Sequence, residues 1–549
     1  MRLEPTTIGA IRRDVAVELI VTRLGSKRSA WNAADIRGEA EKLVASLRVV
    51  TERGIRVELV EDLTARTIDV CRPLLDRTDV PEHVRALTSE RVLAVEADLN
   101  TSLAQRADRH VVPDRWIRYA ESLDAAQRQV IAALAGEAGL LVIEGAAGTG
   151  KTTALSAARE ALEARDRRLV VVTPTLKAAQ AAQQQVDADA FSAAWLVHQH
   201  GYRWDEDGRW THVETPRQEV DLLARLMPGD VLLVDETGML DQDTARALLT
   251  IADGASATVA LLGDRHQLPA VGRGGVLDLA ARLVRPEAHL ELESVHRFTD
   301  PVYADLSLLM RSGERSGEVF DALLNRGEIV IHPSKVELVD ALADVCANGG
   351  ELVIADTREQ VTALNAAIRD RRAAVGEQDG ERRGEPVTSR GERIGLGDGI
   401  ATRRNDRDLR IANRDTWTVT GIGDDGSLLV VGRAGQRQLP ADYVEEHVEL
   451  AYATTVYGAQ GDTVDSAHLV AESIDDAREQ WVGVFSRDRA DLGPTHAAEL
   501  AADDIDRYGP QAPQRSFAVQ AALLGAGGAR RHPEPPPAMA PSPGRGLGR

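Results

Sequence analysis

Leu140-Leu141-Val142-Ile143-Glu144-Gly145-Ala146-Ala147-Gly148-Thr149-Gly150-Lys151-Thr152 is the stretch whose reading decides the fold. Four apolar residues in a row predict a strand buried on both faces, as in a parallel sheet. The segment after it matches G-x-x-x-x-G-K-[ST], and residues 153–165 favour a helix. Glycines let successive backbone N–H groups curl around phosphate oxygens, while the helix N-terminus adds partial positive charge. Gly145, Ala146, Ala147, Gly148, Thr149, Gly150, Lys151, Thr152 and Thr153 are therefore candidate nucleotide contacts. Lys151 is expected to reach the β- and γ-phosphates, and the Thr152 hydroxyl to ligate Mg2+.

Apolar runs recur outward from this point at 169–172, 231–234 and 259–262, separated by helix-length segments. That alternation predicts an α/β fold with a parallel sheet wrapped by helices. A second series at 329–331, 351–354 and 467–470 predicts a second α/β unit in tandem. Asp235 and Glu236 follow the run at 231–234, so the strand's carboxyl end would bring Asp235 near the metal and Glu236 near the attacking water. Together these residues predict hydrolysis of a Mg2+-bound nucleoside triphosphate.

Residues 1–115 read as a helical accessory domain, with periodic stretches at 14–24, 34–47 and 87–103 and Asn32 as an N-cap. The rival reading is a DNA-binding helix-turn-helix variant. Residues 116–310 are expected to form the first α/β unit, carrying a hairpin within 198–215 (Tyr202-Arg203-Trp204, a turn at 205–208, Arg209-Trp210). Residues 311–510 form the second, with a small β module at 385–450 whose runs 416–420 and 428–431 are split by Asp424-Asp425-Gly426. The Gly- and Pro-rich tail, 511–549, is expected to be disordered. His198-Gln199-His200 lies inside the first unit without a third clustered histidine, and a structural role is expected for it.

The 549 residues carry 65 basic and 86 acidic side chains, a net charge of −21 that argues against indiscriminate adhesion to nucleic acid or acidic lipid. The charge is uneven, because residues 369–414 hold 12 arginines against 9 acids. Two cysteines exclude a disulfide framework or a cysteine-built zinc site and make a reducing cytoplasm the default. No apolar run approaches the roughly 20 residues of a membrane span. Only five of the basic residues are lysines, which makes the placing of Lys151 informative.

Further motifs follow in order: Asp235-Glu236-Thr237-Gly238-Met239, then Gly263-Asp264-Arg265-His266-Gln267-Leu268-Pro269, then Val295-His296-Arg297-Phe298. Thr454-Thr455-Val456-Tyr457-Gly458-Ala459-Gln460-Gly461-Asp462-Thr463 and Val482-Gly483-Val484-Phe485-Ser486-Arg487 complete the set. Over roughly 120–500 the chain resembles superfamily 1 helicases of the RecD-like branch, above all the helicase half of conjugative relaxase–helicases of the TraA/TraI kind. The resemblance implies two tandem RecA-like P-loop cores, an SH3-like β insertion and an N-terminal helical domain. It implies Gln127 as the adenine-reading residue, Gln267 as the γ-phosphate sensor, and Arg297 and Arg487 as arginines entering the nucleotide cleft. Ser486-Arg487-Asp488-Arg489 stands where the commoner form is Thr-Arg-Gly-Arg, so the finger is Arg487 or Arg489. DNA contacts are implied for Thr173, Thr175, Asn413, Trp417, Thr455, Tyr457 and Gln460, with Gly461 beside them. The implied activity is ATP-driven, Mg2+-dependent translocation on single-stranded DNA or an overhang, 5′ to 3′, linked to conjugative transfer and a relaxase. The alternatives are a RecD-like repair helicase and a nucleotide-binding subunit that grips DNA without unwinding it.

Overall fold

The computed structural model describes residues 7–49, 51–77, 79–115, 117, 122–146, 148–216, 218–267, 270, 272–292, 300–312, 315–347, 351–375, 385–406, 408–433, 435–459 and 466–470. Helices come first: α1 (Arg13–Lys27), α2 (Ala33–Ser46) and α3 (Arg53–Val70), a two-residue ladder of β1 (Arg72–Pro73) with β2 (Leu87–Thr88), then α4 (Glu90–Ala107). Asn32 caps α2 as its side-chain type requires, accepting from Asp35 N at 2.9 Å while the Asp35 carboxylate accepts from Asn32 N at 3.2 Å. Ile20, Trp31, Ile36 and Leu63 bury a core of their own among α1–α3. Helix α3 is missing from the sequence reading because Ile55, Val57 and Ile68 are exposed and blur its apolar period. Helix α4 has a different allegiance. Its Val95, Leu99 and Leu103 share one core with Leu140, Val142, Val170 and Val172, so the helical region is not self-contained up to residue 115.

The central unit runs α5 (Ala125–Ala135), β3 (Leu140–Gly145), α6 (Lys151–Glu163), β4 (Leu169–Thr173), α7 (Leu176–Val186), β5 (Asp189–Ser192) and α8 (Ala193–Gln199). A hairpin, β6 (Tyr202–Trp204) and β7 (Trp210–His212), precedes β8 (Val231–Val234), α9 (Gln242–Ala255), β9 (Thr258–Gly263), α10 (Val276–Leu283) and β10 (His289–Leu292). The six core strands are all parallel in the order β10-β3-β9-β8-β4-β5. Alternate residues of β3 face opposite cores, Leu140 and Val142 on one side, Leu141 and Ile143 on the other. That double burial is why the run is apolar throughout. The order places β9 between the phosphate-loop strand β3 and the acid-pair strand β8, so three carboxyl ends open side by side.

Helices α11 (Pro301–Ser312), α12 (Ser316–Asn325) and α13 (Lys335–Cys346) lead to β11 (Glu351–Ala355) and α14 (Arg358–Val375). Residues 329–331, expected as a strand, form none: Val330 and Ile331 are 70% and 52% exposed and no strand pairs with them among the described residues. Five antiparallel strands follow, β12 (Gly399–Thr402), β13 (Thr416–Ile422), β14 (Leu428–Gly432), β15 (Gly435–Leu439) and, after α15 (Ala441–His447), β16 (Val448–Leu450). Their order is β15-β14-β13-β12-β16. The chain then returns to pair β17 (Ala453–Thr455) in parallel with β11, passes through α16 (Val456–Ala459), and adds β18 (Ser466–Leu469) on the other side of β11. No helix among the described residues is long and apolar enough to cross a membrane.

Candidate nucleotide site

Gly148 and Gly150 adopt φ of +84° and +76°, the left-handed region in which a Cβ is strained, and Gly150 hands directly into α6. Ala146 and Thr149 are buried, and the Thr149 hydroxyl donates to Ala146 O at 3.0 Å, which holds the loop closed on itself. Lys151 folds over the loop, its Nζ donating to Gly145 O at 3.1 Å. Thr152 is half-buried beside it, while Thr153 points to solvent. Ala147 lies outside the described residues.

Asp235 follows β8 directly, its N donating to Val172 O at 2.9 Å, and its Oδ1 accepts from Glu236 N at 2.8 Å. Glu236 holds φ +55°, an unusual angle for a residue with a Cβ, so the turn aims its carboxylate at a cost in backbone energy. Burial pushes both carboxyls up from their ordinary range; the Lys151 ammonium opposes this at each, and Asp235 and Asp264 raise Glu236 further. Two carboxylates within electrostatic reach of one ammonium, with the Thr152 hydroxyl on the residue after Lys151, supply the oxygen ligands and negative charge that suit a divalent cation such as Mg2+.

Gln267 closes the third side. Asp264, 2% exposed, organises the turn after β9 by accepting from His266 N at 3.0 Å and from Gln267 Nε2 at 3.4 Å. Two arginines given no role in the sequence reading brace this turn, Arg311 from outside it and Arg265 from within it. Arg311 of α11 places Nε 3.0 Å from each Asp264 oxygen, and Arg265 donates to Glu144 Oε2 at 2.8 Å. His289 Nε2 holds the other Glu144 oxygen at 2.7 Å. The available signal was Glu144 itself, a charge ending an otherwise apolar buried strand, which demands partners.

Several expected contacts are placed differently. Gln127, 4% exposed, caps α5 by accepting from Asp124 N at 3.1 Å and donates to Gly150 O at 3.4 Å, which places its amide beside the phosphate loop. Thr173 is fully buried and donates to Thr175 O at 2.7 Å, while the Thr175 hydroxyl caps α7 by accepting from Ala178 N at 3.2 Å. Trp417 is corrected outright: it is 3% exposed in the core of the antiparallel sheet, because inward and outward residues alternate along β13, and it presents no face for stacking. Asn413 and Tyr457 are exposed, the latter at 43%, and Thr455 caps α16 by accepting from Gly458 N at 3.3 Å. Arg297, Gln460, Gly461, Arg487 and Arg489 lie outside the described residues. His200 engages Ala224 O at 3.0 Å, and burial lowers its pKa, as suits a structural histidine.

Residues 122–334 match the AAA domain family. The chain is 25% identical over 435 residues to a probable conjugal transfer protein TraA of Sinorhizobium fredii, covering 75% of this chain and 36% of the relative. It is 28% identical over 386 residues to the RecBCD enzyme subunit RecD of Mycolicibacterium smegmatis, covering 64% of this chain and 66% of that protein. The chain is therefore similar to conjugal transfer TraA proteins and to RecD over the residues matched. It spans about a third of the length of the TraA relatives. A solved structure of Bacteroides Pif1 bound to single-stranded DNA aligns with this chain at a TM-score of 0.44 and 18% identity, covering 67% of this chain and 90% of the other.

Proposed function

We propose that this chain is an ATP-dependent DNA helicase or translocase on single-stranded DNA, moving 5′ to 3′ and serving conjugative transfer. The observation that carries the reading is the meeting of three strand ends: the Lys151 loop after β3, Gln267 after β9, and Asp235 with Glu236 after β8. Lys151 binds and orients the β- and γ-phosphates, Glu236 takes a proton from the attacking water, and Gln267 orients that water against the γ-phosphate. Thr152 and Asp235 would hold a Mg2+ ion, which would supply charge neutralisation at the phosphates. Arg297 and Arg487 would complete the cleft from the second α/β unit, so that hydrolysis accompanies closure of 116–310 against 311–510. The antiparallel sheet is read as an SH3-like insertion over the strand, and α1–α3 as the helical accessory domain.

Strand separation on duplexes bearing either a 5′ or a 3′ overhang, with and without ATP, tests the reading. Unwinding from the 5′ overhang alone is expected, together with ATP hydrolysis stimulated by single-stranded DNA and abolished by Lys151→Ala. Stimulated hydrolysis with unwinding from neither overhang would leave a translocase or a gripping subunit. The RecD relative supports a repair helicase as the second reading, which the same assay does not separate from conjugation but loss of plasmid transfer on deletion would.

A further inference from the structure

Away from the nucleotide cleft, three side chains of different chemistry meet at one corner of the second α/β unit. Cys346 ends α13 and is 3% exposed, Glu351 opens β11, and His468 lies on β18. The Cys346 sulfur, a carboxylate oxygen of Glu351 and a ring nitrogen of His468 all stand within 4.8 Å of one another. Glu351 Oε2 and His468 Nε2 already engage each other directly.

The fold explains how they come together. Strands β11 and β18 run in parallel, with Glu351 opposite Ser466 and Val353 opposite His468. Side chains alternate between faces along a strand, so Glu351 and Val353 share a face, and His468, paired with Val353, stands on it too. Helix α13 covers that face, since Leu342, Ala343 and Cys346 pack in one core with Val353. The sulfur therefore lies inside, while the Glu351 and His468 side chains keep 30% and 25% of their surface exposed. A glutamate–histidine pair alone would brace a sheet edge, and a buried thiol alone would fill core space. Together they offer sulfur, nitrogen and oxygen to one point, a mixed set that suits Zn2+, whereas Mg2+ and Ca2+ favour oxygen throughout. With one cysteine among three ligands this is not a cysteine-built site, so the count of two cysteines does not speak against it. Zinc bonds of about 2.0–2.3 Å set tetrahedral ligand atoms about 3.5 Å apart, an adjustment within reach of side-chain rotation.

We propose that Cys346, Glu351 and His468 bind one Zn2+ ion, with water in the fourth position on the exposed side. Cys346 enters as the thiolate, its proton passing to solvent, and His468 keeps one proton on the ring nitrogen that faces away from the metal. The role is that of a staple. Glu351 and His468 are 117 residues apart, with the whole antiparallel sheet between them in sequence, and a metal clip gains most where it closes a long loop. Among the described residues β18 is an outer strand of the order β17-β11-β18, and the clip holds it against β11 and the end of α13. The site does not depend on the helicase reading.

The test is equilibrium dialysis with Zn2+, and optical titration with Co2+ as its coloured substitute, on the untagged full chain in excess Mg2+ after chelator treatment. One Zn2+ per chain is expected. Bound Co2+ should show a sulfur-to-cobalt charge-transfer band and the visible d–d bands of a four-coordinate ion, and Zn2+ should displace it. Cys346→Ser should abolish the charge-transfer band, and Glu351→Gln and His468→Gln should each weaken Zn2+ binding at least about a hundredfold. Zn2+ should raise the thermal midpoint of the wild type and of Cys71→Ser, but not of the three site variants. Circular dichroism checks folding, and His468→Gln, which keeps an amide beside Glu351 at a half-buried position, gives the answer even where Cys346→Ser does not fold. A wild-type chain that takes up no Zn2+ overturns the proposal. So does Zn2+ binding that His468→Gln leaves unchanged, or a charge-transfer band that survives Cys346→Ser and disappears with Cys71→Ser.

Discussion

Arg265 reaches from the turn after β9 to Glu144 at the end of β3, Nε to Oε2 at 2.8 Å, and so ties the turn bearing Gln267 to the strand that launches the phosphate loop. The partners are unequally buried: the Glu144 side chain is 4% exposed and that of Arg265 30%. Removing each therefore has a different cost. Arg265→Met strands a buried carboxylate with only His289 and should destabilise the fold by about 3 kcal/mol. Glu144→Gln leaves an arginine that can turn to water and keeps an acceptor for it, so about 1 kcal/mol is expected. Urea midpoints on both variants measure the difference, and equal losses would show that the pair is not the buried link described here.

Arg311 grips the same turn from α11, and its absence should be felt in turnover more than in binding. Asp264 is 1% exposed at its side chain and positions Gln267 and His266, so Arg311→Ala leaves it charged and loosens the turn. DNA-stimulated kcat is expected to fall about tenfold, equivalent to about 1.4 kcal/mol in barrier height. Binding of a fluescent ATP analogue should stay within about threefold, since Lys151 and its loop are untouched. Arg311→Lys should recover part of the rate but not all, because a single ammonium cannot span both Asp264 oxygens as the guanidinium does. A parallel loss of nucleotide affinity would assign Arg311 to nucleotide binding instead.

What could be read in the sequence divides along a physical line. Four of the six parallel strands, β3, β4, β8 and β9, were legible because double burial leaves an unbroken apolar run, whereas the edge strands β5 and β10 carry none. The phosphate loop was legible because its glycines and Lys151 obey backbone geometry. The run at 329–331 has the same composition yet lies exposed, since no strand among the described residues is there to bury it. Trp417 shows the converse, an aromatic that suggested a stacking platform but alternates inward along β13. Arg265 and Arg311 were hidden among 60 arginines, and only Asp264 and Glu144, brought beside them by the fold, separate them from surface charge. Gln127 was found at the phosphate loop, although its bonds there are those of a helix cap.

The two cysteines offer a check on packing. Cys71 accepts a hydrogen bond from Trp31 Nε1 at 3.3 Å, and burial raises its thiol above the ordinary range. Cys346 is pushed up to about 11, by burial first and then by Glu351. The reactive species is the thiolate, so at pH 8 both should be nearly inert to a disulfide reagent in the native chain. Colorimetric titration should find neither thiol at early times and both after unfolding in guanidinium. Rapid reaction of one equivalent would mean that one of these helix ends opens readily.

The hairpin allows a structural role to be separated from a mechanical one. Its tip rests on α1: Arg23 Nε meets Asp207 at 2.8 Å, and Arg209 meets Glu18 at 3.4 Å. Gly208, at φ +82°, lies so near that a Cβ would stand 2.2 Å from Ser26 Cβ. Gly208→Ala should therefore lift the tip from α1, costing about 1–2 kcal/mol from the left-handed angle alone. Trp204 and Trp210 stack at 5.0 Å across the hairpin, so their fluorescence reports whether it survives the displacement. If the hairpin splits duplex DNA, the variant should lose unwinding while ATP hydrolysis stimulated by single-stranded DNA persists, because the nucleotide cleft is untouched. Unwinding that persists with the tip displaced would make the hairpin a brace between α1 and the parallel sheet.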